Sequence, residues 1–116
     1  MTTPISGEGG VDAYARLNEL GLTLPAVVAP LAAYVPAVQT GNYVYVSGQI
    51  PMVDGKLALT GKVGAEVTPE QATDLARTCA LNALAAIEAL VGLGRLVKIV
   101  KLTGFSRYSG SSTVVS

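Results

Sequence analysis

The longest regular pattern in the chain is a helix signal between residues 68 and 92, and it constrains the fold more than any other feature. Thr68 can cap the helix, Pro69 suits its first position, and Gln71 stands where a capping box needs it. Apolar residues then recur at helical spacing: Leu75, Ala76, Cys79, Ala83, Ala86, Ile87 and Leu90. The sequence therefore predicts a helix over 69–91 that packs one wide, alanine-rich face on a sheet.

A hairpin signal precedes this helix. Residues 31–39 and 42–49 each have the apolar content of a strand, and the pair Gly41-Asn42 between them is a turn signal. Pro36 falls inside the first strand, where it would remove one ladder donor. We therefore expect the first strand to lie at a sheet edge or to contain a bulge.

Three further elements complete the predicted order. A short helix is predicted over 11–20 because Gly21 is a good C-terminal stop, and residues 56–61 indicate a short third strand. Residues 96–104 read as a buried strand. Its apolar content is Val97, Ile99, Val100 and Leu102. The order helix, strand, strand, short strand, long helix, strand predicts an α+β two-layer sandwich, a sheet covered by helices.

The two ends of the chain differ in composition from this domain, which we place at 11–105. Residues 1–10 are polar and glycine-rich and are expected to be a flexible leader. Residues 106–116 are rich in Ser, Gly and Thr without a clear period, which predicts an atypical tail or linker. Since neither a second long helix nor a final strand is indicated, the domain is expected to be truncated after the helix crossover and its strand. A shifted reading frame is the alternative explanation of this tail.

Composition excludes several classes of site. The 116 residues include one cysteine and no histidine, which excludes a disulfide framework, a Cys/His zinc site and a histidine-based triad. Net charge is zero and no basic stripe is present, so no nucleic-acid partner is predicted. The sequence has no signal peptide and no run long enough to span a bilayer, which predicts a cytoplasmic protein without membrane contact. Half of the residues are apolar and only 14% are charged, which favours an oligomer.

The charged residues and the cysteine are assigned structural roles. Cys79, alone on an apolar helix face, is predicted to be a core residue. A solvated helix face is predicted for Glu66, Glu70, Asp74 and Glu88. A solvated strand edge is predicted for Arg95, Lys98, Lys101 and Arg107. No carboxylate pair is placed for acid–base work.

The second strand of the hairpin ends in an unusual way. After the apolar run Tyr43–Val46 the chain turns small and polar at Ser47-Gly48-Gln49. In one interpretation this end lines a ligand cleft, with Ser47 offering a hydroxyl and Gly48 allowing close approach to the backbone. In the other, a strand that leaves the core simply becomes polar, and Ser-Gly is ordinary turn chemistry.

Two stretches carry a resemblance to a known family. The sequence AAYVPAVQTGNYVYVSGQIP, residues 32–51, resembles the RidA/YjgF family (reactive intermediate deaminase A), whose older names speak of an endoribonuclease and of translation inhibition. ARTCALNALAAIEALVG, residues 76–92, and IVKLTGF, residues 99–105, are similar to the family's first helix and following strand. The resemblance covers 11–105.

The resemblance implies a fold, an assembly and an activity. The family has a chorismate-mutase-like α+β fold and forms homotrimers with clefts between subunits. Its members hydrolyse reactive enamines and imines to 2-oxo acids and ammonia without a cofactor or metal. The ligand implied is a small 2-imino or 2-oxo acid, and the substrate-binding residues carried over are Tyr34, Ser47 and Gly48.

The family's catalytic residues have no counterpart in this sequence. Family members anchor the substrate carboxylate with an arginine, and their acid–base glutamate lies further along. The surroundings of Arg107 do not match that arginine motif, so no catalytic residue is assigned. A bidentate arginine fixes a carboxylate strongly. A non-catalytic module of the same fold, which binds a small metabolite or acts as a regulator, is therefore the alternative function.

Overall fold

The computed structural model describes residues 12–27, 36–53, 56–108 and 111–115. The helices are α1 (Ala13–Glu19), α2 (Pro69–Val91) and a 3-10 turn (Leu93–Arg95). The strands are β1 (Ala37–Thr40), β2 (Tyr43–Val46), β3 (Met52–Val53), β4 (Lys56–Leu57), β5 (Gly104–Tyr108) and β6 (Ser111–Val115). Within the described residues the strands form three antiparallel pairs, β1–β2, β3–β4 and β5–β6, rather than one continuous sheet. The class is α+β, as predicted.

The chain divides into two compact units. One holds residues up to 49 together with 80–98, and the other holds residues 50–79 together with 99–116. Among the described residues, the first unit buries Ala37, Ala85, Ala86, Ile87 and Leu93. The second unit buries Val67. Leu93, in the 3-10 turn that follows α2, has no solvent exposure at all and is the most completely buried of these residues.

Local signals at both ends determine the extent of α1. Asp12 caps the helix, since its side chain accepts a hydrogen bond from the Ala15 N–H at 3.1 Å. At the other end Gly21 adopts φ +68°, and the Leu22 N–H donates to the Leu17 carbonyl at 2.9 Å, as in a Schellman motif. The helix therefore begins two residues later than predicted, while the predicted stop at Gly21 is confirmed.

The predicted β1–β2 hairpin is present. Gly41 and Asn42 form the two-residue turn, and the register pairs Thr40 with Tyr43. Gly41 adopts φ +58°, a left-handed conformation that glycine reaches without the Cβ clash of other residues. The turn pair therefore sets the register of the hairpin.

Pro36 lies immediately before β1 rather than inside a strand. It cannot donate to the ladder, but its carbonyl accepts the Ser47 N–H at 2.9 Å and so extends the pairing by one bond. No bulge is needed, because the missing donor falls at the start of the strand. Residues 31–35 of the predicted first strand lie outside the described residues.

The capping box predicted for α2 is confirmed atom by atom. The Thr68 N–H donates to Gln71 Oε1 at 2.9 Å, and the Gln71 N–H donates to Thr68 Oγ1 at 3.1 Å. The helix ends at Val91, and Gly92 follows with φ +83°. Its apolar face is less buried than predicted, because Ala76 and Leu90 are exposed.

The prediction of a buried strand over 96–104 is wrong. Residues 96–103 form no strand, and the segment is largely exposed. Its exposed apolar residues are Val97, Ile99, Val100 and Leu102. The physical reason lies in the pattern: apolar pairs separated by Lys98 and Lys101 give a period of three, which fits neither face of a sheet.

The prediction of a tail without a final strand over 106–116 is also wrong. Strands β5 and β6 form an antiparallel hairpin in which Phe105 pairs with Val114 and Arg107 with Ser112. The carbonyl of Arg107 also accepts the Val63 N–H at 2.9 Å. The compositional argument counted serine and glycine, but Thr113, Val114 and Val115 are β-branched and favour a strand.

Candidate functional site

The end of β2 is the candidate site that the sequence predicts. Along β2 the exposed side chains are Tyr43 and Tyr45, and the half-buried ones are Val44 and Val46. Ser47 follows half-buried, with its N–H donated to Pro36. The last pair of the β1–β2 ladder is Ala37 with Val46, so the polar stretch begins where the ladder ends.

Gly48 faces open space. It is exposed, and a Cβ built on it would meet no atom within 4 Å. The next side chain turns back along the chain, since Gln49 Nε2 donates to the Ser47 carbonyl at 3.0 Å. Gln49 therefore acts in the local turn, while the backbone at Gly48 has room beside it for a bound molecule.

Of the three predicted site residues, the structure describes two. Ser47 and Gly48 are adjacent at the strand end, and Tyr34 lies outside the described residues. The stretch Val46–Pro51 contains no titratable side chain, so any acid or base acting on a ligand there must come from elsewhere. The described strand end offers a half-buried serine beside an exposed glycine, and its binding role stays a prediction.

A second polar cluster was missed by sequence reasoning. The Tyr14 hydroxyl donates to Glu88 Oε1 at 2.6 Å, and the Leu93 N–H donates to the same oxygen at 2.7 Å. The prediction places Glu88 on a solvated helix face; it is exposed, as predicted, and its carboxylate also connects α1 to the end of α2 through these two hydrogen bonds. We call Tyr14, Glu88 and Leu93 the α1–α2 joint.

A sequence signal for this joint exists. A carboxylate in the last turn of a helix faces the negative end of the helix dipole and is unfavourable there unless donors compensate it. Glu88 lies four residues before Gly92, in that last turn. Its position therefore indicates a need for donors, although it does not identify Tyr14, which is 74 residues away.

The joint shifts the pKa values of its two titratable groups in opposite directions. The hydrogen bond to Glu88 raises the pKa of Tyr14, because the phenolate would lose that bond and stand beside a carboxylate. The bonds from Tyr14 and then from Leu93 lower the pKa of Glu88. Because these hydrogen bonds favour its ionised form, Glu88 is a weak base, and its role is structural.

Cys79 is half-buried on α2, and burial raises the pKa of its thiol. A protonated thiol is a poor nucleophile, which fits a packing role. Within the part of the chain that the structure describes, no group of three or more metal-ligating side chains is placed to hold an ion. In the same described ranges, neither α1 nor α2 is long and apolar enough to cross a membrane.

The α+β class and the Ser-Gly-Gln strand end agree with the YjgF/chorismate-mutase-like class of proteins. The family model described as "YjgF/chorismate_mutase-like, putative endoribonuclease" matches residues 14–113. The chain belongs to this family. The match reaches into β6, so β5 and the first three residues of β6, which composition assigned to a tail, lie within the matched region.

Relatives support the same family. Protein TCP17 of Trypanosoma cruzi is 40% identical over 100 residues, covering 85% of this chain and 62% of the relative. A crystal structure described as a "putative endoribonuclease" from Shewanella oneidensis MR-1 is 34% identical with a TM-score of 0.62, covering 78% of this chain and 54% of that one. Protein Atu1372 of Agrobacterium tumefaciens, described as of unknown function, is 46% identical with a TM-score of 0.56, covering 68% and 46%. The chain thus spans about half to three-fifths of the length of these relatives.

Proposed function

We propose that the protein acts in the hydrolytic deamination of reactive enamines and imines, taking a small 2-imino acid to the 2-oxo acid and ammonia. Membership of the YjgF family supports this activity. So does the Ser-Gly-Gln strand end, where a half-buried Ser47 adjoins an exposed Gly48 at the end of β2, and this is the observation on which the proposal rests. The proposal concerns the family domain, because this chain spans 62% or less of the three relatives.

The reaction needs positioning more than strong catalysis. An enamine takes a proton at its terminal carbon to become the imine; water adds to the C=N carbon; the C–N bond then breaks, ammonia leaves and the C=O bond forms. In this proposal the Ser47 hydroxyl and the Tyr34 phenol hydrogen-bond the substrate, and the Gly48 backbone lets it approach closely. Holding substrate and water in register supplies a large part of many rate enhancements.

The proposal includes a homotrimer with its clefts between subunits and requires no cofactor. The exposed apolar side chains of β1 and β2 support self-association, because Val38, Tyr43 and Tyr45 share the outer face of the hairpin. The assembly should therefore be measured together with the activity.

A second function, a non-catalytic module that binds a small metabolite, is favoured by one observation. Catalytic acids and bases are commonly groups with perturbed pKa values. Among the described residues the shifted groups are Tyr14, Cys79 and Glu88, on α1 and α2, and the Val46–Pro51 stretch contains no titratable side chain. Such a strand end fits binding better than chemistry.

An assay in which the substrate is generated in the reaction mixture distinguishes the two functions. A dehydratase generates 2-aminoacrylate from serine, and pyruvate release is followed with and without the protein. The deaminase proposal expects release faster than the spontaneous reaction, and a roughly tenfold loss in Ser47→Ala, as for one substrate hydrogen bond. Gly48→Val should abolish the acceleration by filling the open space.

The control is Thr23→Ala, which removes an exposed hydroxyl from the connector after α1 and should leave the rate unchanged. Pyruvate release at the spontaneous rate contradicts the deaminase proposal. If calorimetry then shows pyruvate binding that Gly48→Val removes, the binding-module function is supported instead.

A further inference from the structure

Gln49 is a polar side chain at the end of β2 that the proposed reaction does not use. It is half-buried, and its Nε2 donates to the Ser47 carbonyl at 3.0 Å. That carbonyl belongs to the peptide group that joins Ser47 to Gly48, the two described residues proposed to receive the substrate. The side chain of Gln49 therefore contacts the proposed site through the backbone.

Hydrogen bonds restrain the backbone of Ser47 on both sides. Its N–H donates to the Pro36 carbonyl at 2.9 Å and continues the β1–β2 ladder by one bond. Residues 47–50 lie in neither a helix nor a strand, so the ladder does not order the peptide that follows. The Gln49 amide restrains that next peptide, because it binds the Ser47 carbonyl oxygen directly.

A peptide group that precedes a glycine is easily turned over. A half-turn of the Ser47–Gly48 peptide changes φ of Gly48, and glycine reaches positive φ without the Cβ clash of other residues. In the structure Gly48 is not among the glycines with positive φ, so one of the two orientations is selected. Packing beside Gly48 does not select it, because no atom lies within 4 Å of where a Cβ would stand.

We propose that Gln49 is a positioning residue of the site: its amide holds the Ser47–Gly48 peptide in the one orientation that accepts the substrate. A half-turn would exchange the positions of the carbonyl oxygen and the amide hydrogen, and a carboxylate, which only accepts hydrogen bonds, distinguishes the two. If only a fraction of the molecules has the competent orientation, the apparent affinity falls by that fraction. The inference rests on the proposed function and adds a residue that acts through Ser47 and Gly48 without contacting the substrate.

Two substitutions remove the donor in different ways. Gln49→Met keeps the length of the side chain without a donor, and Gln49→Glu keeps its shape but replaces the donor with an acceptor. In the full chain both should weaken pyruvate binding, measured by calorimetry, roughly tenfold and leave the rate of pyruvate release at saturating substrate nearly unchanged. The amide NMR signal of Gly48 should shift or broaden in both, because its peptide then samples two orientations. Signals of the β1–β2 ladder should stay in place and show that both variants fold.

The matched control is Gln39→Met. Gln39 Nε2 also donates to a backbone carbonyl two residues away, that of Gly41 at 3.2 Å, but at the turn of the hairpin. This variant should keep the wild-type affinity for pyruvate, the wild-type rate and the wild-type Gly48 signal.

The outcomes distinguish the positioning role from the deaminase activity. Wild-type affinity in Gln49→Met overturns the inference, and so does a Gly48 signal that moves without any loss of binding. Binding lost in Gln49→Glu alone would be an effect of the added charge and overturns it as well. If both variants weaken pyruvate binding but the wild type forms pyruvate only at the spontaneous rate, the positioning role stands and the deaminase proposal fails. A wild type that neither binds pyruvate nor accelerates its release overturns both.

Discussion

The α1–α2 joint and residues 99–107, which we call the basic apolar segment, differ in how far their apolar side chains are buried. In the joint, Leu93 is completely buried, and its N–H and the Tyr14 hydroxyl both donate to Glu88. In the segment, Leu102 and Phe105 are 74% and 80% exposed, and the nearby cations form no ion pair within the described ranges. In the joint the apolar side chain is covered by its own chain, and in the segment the apolar side chains are exposed to solvent.

The difference indicates that the joint stabilises the single chain, whereas the segment is available for association with another surface. Burial of a leucine removes its side chain from water and stabilises the single chain, whereas an exposed leucine stabilises only a complex that covers it. Substitutions in the joint should therefore change the unfolding of the isolated chain, and substitutions in the segment should change its assembly. A joint substitution that changes only assembly, or a segment substitution that changes only the unfolding of the dissociated chain, would contradict this distinction.

The largest effect is expected from a matched pair of leucine truncations. Leu93→Ala should lower the free energy of unfolding by about 2–5 kcal/mol, because it leaves a cavity at a fully buried site. Leu102→Ala, at a residue 74% exposed, should change it by about 0.5 kcal/mol or less in the dissociated chain. Urea unfolding of both variants, at concentrations where the protein is dissociated, measures the difference.

The same pair reveals whether the segment is covered in the assembly. If Leu102→Ala becomes destabilising only when protein concentration rises, a second copy covers Leu102. Equal losses for both variants in the dissociated chain would mean that the segment packs within its own chain, and the comparison would fail.

A smaller effect is expected at the glycine that ends α2. Gly92 adopts φ +83°, so Gly92→Ala should cost about 1–3 kcal/mol in backbone strain although nothing crowds the new methyl group. Gly48→Ala is the control, because it too meets open space and is expected to change unfolding by about 0.5 kcal/mol or less. The thermal midpoint of Gly92→Ala should therefore be lower than that of Gly48→Ala. Equal midpoints would show that the left-handed conformation of Gly92 does not stabilise the fold.

Local chemistry explains which elements could be predicted from the sequence. The Thr68–Gln71 box and the Gly41-Asn42 turn each need only a few neighbouring residues, and both were predicted correctly. The joint needs Tyr14 and Glu88, which are 74 residues apart, and no local pattern connects them. Long-range pairs of this kind depend on how the helices pack, which propensity does not encode.

Residues 96–103 and the end of β2 could be predicted from the sequence only in part. Residues 96–103 have strand-like composition, but they belong to none of the three strand pairs in the described part of the chain. At the site, the family and the polar end of β2 could be predicted, because the motif at Ser47-Gly48 is local. The roles of Ser47, Gly48 and Tyr34 stay predictions, since a binding role depends on a ligand and on neighbouring chains.

The smallest effect concerns the pH dependence of the joint. The pKa of Glu88 is lowered from its ordinary value of 4.5, so its contribution to stability is fully present above pH 4.5 and is lost as pH falls through the lowered value. The pKa of Tyr14 is raised from its ordinary value of 10.0, so its contribution is present below pH 10.0 and is lost as pH rises through the raised value. Both groups are exposed, which keeps each effect small.

Glu88→Gln should therefore flatten the acid side of the stability curve and leave the Leu93 contact partly in place, since the amide oxygen still accepts hydrogen bonds. Tyr14→Phe should flatten the alkaline side and bring the pKa of Glu88 back towards its ordinary value. The double variant should lose less than the two single losses together, because both substitutions break the same bond. Urea midpoints across pH measure all three, with Glu19→Gln on α1 as the control. If the urea midpoints of the control and of Glu88→Gln fall equally steeply as the pH is lowered, the carboxylate of Glu88 adds no stability. The burial of Leu93 alone then stabilises the joint.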